Sequence, residues 1–231
     1  MSEDDKRRWA GPGAQAGGGR DLTARVRAGK HKKPSSRAWL ERHLNDPYVR
    51  RARAEGYRAR AAYKLLELDD RFGLIKPGAR VIDLGAAPGG WMQAAQRRGA
   101  GALVGVDLLA IEPLEGAYAL QGDVADPAVA AAALAALGGP PDLVLSDMAA
   151  NTTGHHRTDQ IKTGALAEIA AAFALAHLKP GGAFVAKAFQ GGLDGALLAR
   201  LKQDFASVRH AKPKASRAES VEIYVVAQGR K

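Results

Sequence analysis

Four charged residues in this chain sit where charge is costly. Lys187 lies inside the apolar run GAFVAKAF and Glu222 within SVEIYVVA, Asp147 follows the apolar residues of LVLSDMAAN, and Lys64 falls in RARAAYKL. A lysine among apolar neighbours must be paired, reach out to water or shift its pKa. Taken singly, each of the four also suits the wet edge of a sheet. Two lysines and two acids near one sheet edge suit a different task, removal of a proton from a poor nucleophile such as a ribose 2′-hydroxyl. A lysine can accept that proton only when neutral, and its reference pKa is about 10.4. Burial and a nearby second cation both lower that value. On this reading Lys187 is the base, depressed by Lys64. Asp147 and Glu222 orient the amine and the ribose, although as anions they oppose the depression.

Methyl transfer to such a hydroxyl needs a donor, and the stretch VIDLGAAPGGW (81–91) has the form of a donor site. Val81, Ile82 and Leu84 read as the end of a buried strand, Gly85 to Gly90 as a turn with few side chains, and a helical pattern resumes afterwards. In α/β sheets that junction is where nucleotide-like ligands bind. A pyrophosphate fingerprint would read GxGxxG, whereas position 87 here is Ala and Pro88 lacks an N–H. Asp83 adds a carboxylate at the strand end, which suits a cationic ligand such as S-adenosylmethionine (SAM). An ordinary strand-to-helix turn would carry much of the same pattern. Asp107, which ends GALVGVD 24 positions after Asp83, is placed to accept from ribose hydroxyls. Asp123, in LQGD, could accept from the exocyclic amine of adenine. Either aspartate also suits a local cap, and Trp91 could wall the pocket or pack beneath the helix.

The elements that must position these residues alternate. Strands are expected at 80–84, 102–107, 118–121, 142–146 and 182–188, with helices near 89–98, 127–137, 160–178 and 193–205. That alternation implies a parallel sheet covered on both faces. The last strand-like segments, 206–211 and 220–227, have no helix between them and should form an antiparallel end. Ahead of the sheet, Trp39, Leu40 and Leu44 mark a short helical face. Asp46-Pro47 reads as an N-cap followed by Pro at the first helical position, and a third helix should run from about Ala59 to Phe72.

Charge divides the chain in the same place. Residues 1–64 hold 17 of the 34 Lys and Arg and 7 of the 24 Asp and Glu, so the whole net charge of +10 lies ahead of the sheet. An excess so placed fits a nucleic-acid-facing arm on a neutral catalytic body, though a solubilising tail would also be basic. Residues 1–36 are rich in Gly, Arg, Lys and Ser and are expected to be disordered until bound. Residues 37–231 form the catalytic domain, with a basic helical lead-in over 37–76 and the sheet core over 77–231. Arg50, Arg51, Arg53, Arg58 and Arg60 fall just before the sheet, able to contact phosphates without reading sequence. The chain has no cysteine, which excludes disulfides, thiolate zinc sites and a cysteine nucleophile. No apolar run approaches the length of a membrane span. The expected setting is the cytoplasm, and no apolar patch suggests a dimer, so a monomer is expected.

The segments SSRAWL, RARAAYKL, VIDLGAAPGGW, VDLL, LQGD, SDMAAN, FVAKAFQG and SRAESVEIYVVA, in this order, resemble the FtsJ family of RNA ribose 2′-O-methyltransferases, in its ribosomal branch. The resemblance runs from about Ser35 to Lys231. It implies a Rossmann-like α/β fold, with a seven-stranded, mostly parallel sheet, an antiparallel last strand and helices on both faces. It further implies SAM as cofactor without a metal, and a uridine ribose in the A-loop of 23S rRNA as target, preferably within the assembled large ribosomal subunit. The family's Lys-Asp-Lys-Glu tetrad falls on Lys64, Asp147, Lys187 and Glu222, with Lys187 as proton acceptor. Its SAM contacts fall on Gly89, Trp91, Asp107, Asp123 and Asp147. The family often has Pro where this chain has Ala150. Two other readings stand beside this one: the same chemistry on transfer RNA, and a noncatalytic ribosome-assembly factor that would have no need of a buried lysine.

Overall fold

The computed structural model describes residues 40–149, 156–189 and 195–231. The chain divides into two compact units, Met1–Asn45 and Asp46–Lys231. In the first, the described part is a short helix over 40–44; the rest of the basic arm, like Trp39 and Ala150, lies outside the described residues. Everything that follows belongs to the second unit.

Two helices precede the sheet. α1 (Pro47–Ala54) begins where Asp46 accepts a hydrogen bond from the Tyr48 N–H, with proline at the first helical position, where its missing N–H costs nothing. α2 (Ala62–Phe72) ends at Gly73, in the left-handed region at φ +60°.

Seven strands follow: β1 (Arg80–Leu84), β2 (Ala102–Asp107), β3 (Tyr118–Gln121), β4 (Leu143–Ser146), β5 (Ala183–Phe189), β6 (Phe205–Ala211) and β7 (Glu222–Arg230). Their order across the sheet is β3-β2-β1-β4-β5-β7-β6. The first five are mutually parallel. β7 runs antiparallel to both β5 and β6. It therefore lies between them, and β6 forms the edge. The helices in this part are α3 (Gly90–Arg97), α4 (Pro127–Leu137), α5 (His156–His177) and α6 (Gly195–Asp204).

The central strands are apolar on both faces because both are covered. Val81, Leu103, Leu145, Val185 and Val226 pack with Leu65 and Leu68 of α2 and Met92, Ala94 and Ala95 of α3. Their neighbours Ile82, Val104, Val144, Phe184 and Val225 face the other way, against Ala133 of α4, Ala170 and Ala174 of α5 and Leu201 of α6. Period-two alternation thus sends successive side chains into two separate cores. Among the described residues no helix is long and apolar enough to cross a membrane. The strand order reverses between β1 and β4, and in such sheets ligands bind outside the carboxyl ends at that reversal.

Candidate active site

The four charged residues converge at that carboxyl edge. Asp147 is the first residue after β4, Lys187 lies near the end of β5, and Glu222 opens the antiparallel β7. The antiparallel last strand is what allows Glu222, at its start, to face the ends of the parallel strands. The register sets Lys187 opposite Tyr224. Lys64 arrives from the first turn of α2.

Lys187 Nζ stands 2.8 Å from Asp147 Oδ1 and 3.6 Å from Glu222 Oε2, and donates to the Asp147 main-chain oxygen at 2.9 Å. Lys64 Nζ lies 2.8 Å from Glu222 Oε1 and 3.7 Å from Asp147 Oδ2. The cations and anions alternate, so each carboxylate touches both lysines. Lys187 is 8% exposed and Glu222 9%, so the charges are shielded from water and their mutual pairing offsets much of the desolvation cost.

This pairing reverses one expectation. Burial, the largest single influence, pushes the Lys187 pKa down, but the carboxylates of Asp147 and Glu222 together outweigh it and hold the ammonium above its ordinary range. The second lysine does not depress Lys187 overall, because two acids stand between them. Asp147 shows the complement: burial would raise its pKa, yet Lys187 and Lys64 hold it below the usual carboxylate range.

Sequence reading missed two members of this cluster. Tyr224 Oη donates to Asp147 Oδ1 at 2.6 Å, and its ring lies 5.7 Å from that of Trp91 and 5.6 Å from Lys64 Nζ. Its spacing of two from Glu222, on one face of a strand, was the available signal. Burial, then Asp147 and Glu222, push its phenol well above the ordinary range. Ser216 Oγ donates to Glu222 Oε1 at 2.8 Å. The segment carrying Ser216 is tied back to α2, since Glu67 accepts from the Ala215 N–H at 3.1 Å. No sequence signal singles out Ser216. A cleft of about 440 Å³ lined by Glu67, Arg71, Lys212 and Lys214 shares no residue with the four charges.

The candidate donor loop adjoins this cluster. Gly89, at φ +103°, caps α3. Asp107 Oδ2 accepts from the Ala87 N–H at 2.9 Å and Oδ1 from the Leu109 N–H at 2.8 Å. Asp107 thus fastens the loop to the end of β2 and keeps lone pairs for a ligand. Asp123 is exposed just past β3 and accepts from the Ala125 N–H at 2.9 Å. Trp91 is 3% exposed, with Nε1 donating to the Ala61 carbonyl at 2.8 Å; its position is that of a packed wall.

Asp83 is the anomaly. It is 1% exposed, and neither carboxylate oxygen has a hydrogen-bond partner. Burial first, then Asp147 and Asp107, raise its pKa well above the ordinary value. An orphaned buried carboxyl flanked by two further acids is costly alone, and a ligand bearing positive charge would offset that cost. The donor set therefore fits a ligand that carries positive charge.

The expected row of phosphate-binding arginines is only partly available. Arg51 pairs with Glu55 at 2.7 Å and stacks on Tyr63, while remaining exposed with Arg50 and Arg53 on α1. Arg60 instead turns inward to Asp46 and the Ala215 carbonyl. Arg58 is held by three main-chain carbonyls. Sequence spacing gave no sign that these two were committed to the fold.

Residues 57–230 match the FtsJ-like methyltransferase family. The chain is 55% identical to the ribosomal RNA large subunit methyltransferase E of Hyphomonas neptunium over 99% of both chains. It is 57% identical to the protein of the same name from Sphingopyxis alaskensis, over 95% of this chain and 96% of the relative. Among solved structures, a ribosomal RNA methyltransferase from Plasmodium falciparum superposes with a TM-score of 0.66 at 27% identity, covering 75% of this chain and 98% of that one.

Proposed function

The chain belongs to the FtsJ-like methyltransferase family, and from that membership we propose that it methylates the 2′-hydroxyl of a uridine ribose in the A-loop of 23S rRNA. SAM is the donor and the assembled large ribosomal subunit the substrate, and the proposal places the enzyme in the cytoplasm and takes it to act as a monomer. The observation that carries the reading is the cluster of Lys64, Asp147, Lys187 and Glu222 at the carboxyl edge of the sheet, two of them buried and two half-buried, beside a loop with an orphaned acid. Relatives named for large-subunit ribosomal RNA support the choice of target.

Gly89, Trp91, Asp107, Asp123 and Asp147 would hold SAM, with Asp83 beneath the loop. When bound, SAM supplies an activated methyl group on a sulfonium. Lys187 accepts the proton from the ribose hydroxyl, and to do so it must first give up the proton that Asp147 and Glu222 stabilise. Asp147 shared with a cationic ligand holds Lys187 less tightly, so donor binding favours the neutral amine. Glu222, fixed by Lys64 and Ser216, orients the ribose. Tyr224 keeps Asp147 in place. The exposed arginines of α1 and the basic arm contact phosphates without reading sequence.

The test is transfer of labelled methyl from SAM to undermethylated large subunits, with free 23S rRNA and transfer RNA in parallel, followed by mapping of the product. A single 2′-O-methyluridine in the A-loop of the subunit is expected. Label confined to transfer RNA would contradict the target, and SAM binding without transfer would contradict the activity.

A further inference from the structure

Arg58 stands in the basic lead-in, half-buried, with its guanidinium engaged by main-chain carbonyls. Its Nη1 donates to the Pro88 carbonyl at 3.2 Å and the Glu112 carbonyl at 2.7 Å, and its Nη2 to the Pro113 carbonyl at 2.6 Å. Its own N–H donates to Gln93 Oε1 at 2.7 Å, and Gln93 Nε2 returns to the Gly56 carbonyl at 3.1 Å. Among the described residues no carboxylate pairs with Arg58, so its charge is met by carbonyl dipoles. The contact is close: a Cβ on Gly89 would lie 2.6 Å from Nη1. Glycine is favoured there by φ, and a side chain would displace the guanidinium.

The three carbonyls come from two loops that nothing in the sheet ladder joins. Pro88 belongs to the turn between β1 and α3, while Glu112 and Pro113 belong to the segment between β2 and β3. These loops flank the carboxyl ends of β1 and β2, where Asp83 and Asp107 lie. We propose that Arg58 is a positioning residue of the donor site, a fork that sets the separation of these loops and so the width of the pocket that holds the nucleoside. The proposal rests on the reading that these loops hold SAM. The chemistry requires arginine. Nη1 bridges the two loops, from the Pro88 to the Glu112 carbonyl, and Nη2 adds the Pro113 carbonyl; the planar guanidinium fixes all three acceptors at once, whereas the compact ammonium of lysine keeps the charge without that fixed three-point hold.

That distinction separates loop positioning from a phosphate contact. The full-length wild type, Arg58→Ala and Arg58→Lys are titrated calorimetrically with SAM, and their binding to a 23S rRNA A-loop fragment is measured alongside. Both substitutions are expected to weaken SAM binding about tenfold, as loss of charge-assisted hydrogen bonds does, with faster amide exchange over 108–117. Arg58→Lys should retain RNA affinity, and it keeps the proposal testable should Arg58→Ala fold poorly. Wild-type SAM affinity in both variants overturns the proposal, and loss of RNA affinity alone assigns Arg58 to phosphate instead. A wild type that fails to bind SAM overturns the reading beneath the proposal, and the proposal with it.

Discussion

Lys187 and Asp147 are joined twice, through the aspartate carboxylate at 2.8 Å and through its main-chain oxygen at 2.9 Å. A lysine held in this way rests as an ammonium. In the proposed reaction Lys187 must release a proton before it can take one from the ribose, and the cluster stabilises the ammonium at the expense of the neutral amine.

The pH dependence of transfer follows from the raised Lys187 pKa. Below that pKa the neutral fraction grows about tenfold per pH unit, so single-turnover transfer is expected to rise steadily between about pH 6 and 9. A flat or falling profile across that window, with chemistry rate-limiting, would remove Lys187 as the proton acceptor.

Asp83 gives a prediction about stability. Its folded pKa is raised, so the unfolded chain loses that proton first, at about pH 3.9. Stability from this group is then lost as pH rises from there through the folded value. Asp147 has the opposite sign: its lowered pKa contributes stability above about pH 3.9 that is lost as pH falls through the folded value. Asp83→Asn is expected to raise the thermal midpoint of the ligand-free protein at neutral pH while weakening SAM binding. A lower midpoint with unchanged SAM affinity would show that Asp83 serves only the fold.

The loop after β1 leaves no room for a side chain at its first turn. Gly85 has φ +78°, and a Cβ there would meet Met148 at 2.4 Å from Cγ and 3.0 Å from Cα. Gly85→Ala should cost about 1–3 kcal/mol of stability, measured by denaturant unfolding. A wild-type midpoint would mean that β1 and the residues after Asp147 can move apart freely.

Much of this architecture was legible in the sequence. The strands were legible in the alternation of strand-like and helical segments, and that alternation correctly implied a mostly parallel sheet covered on both faces. β7 extends to Arg230, past the expected end at 227, because pairing with β6 carries the polar Gln228 to Arg230 where composition alone gave no reason to continue. The four charged residues were legible as charges out of place. The direction of the Lys187 pKa was not, because it depends on which carboxylates touch the amine, a matter of ångströms. Arg58 and Arg60 were misread for a related reason: a basic run shows how much charge a segment carries, and only the fold shows which side chains are spent on carbonyls and buried acids.

The basic N-terminal segment has a separate test. Residues 1–64 carry the whole net charge of +10, and deletion of residues 1–34 is expected to weaken RNA binding and flatten its salt dependence while leaving SAM affinity unchanged. Equal binding at physiological salt would make the segment a tail without a role in recognition.

The central claim is that Lys187 removes the ribose proton in a SAM-dependent transfer. The most direct test is single-turnover transfer of labelled methyl from SAM to large ribosomal subunits by wild type and Lys187→Ala, with SAM affinity measured on both. Loss of a positioned base costs about 10²–10⁴ in rate. The expected result is a loss of at least that order in Lys187→Ala with SAM affinity nearly intact; transfer within a few-fold of wild type would contradict the account.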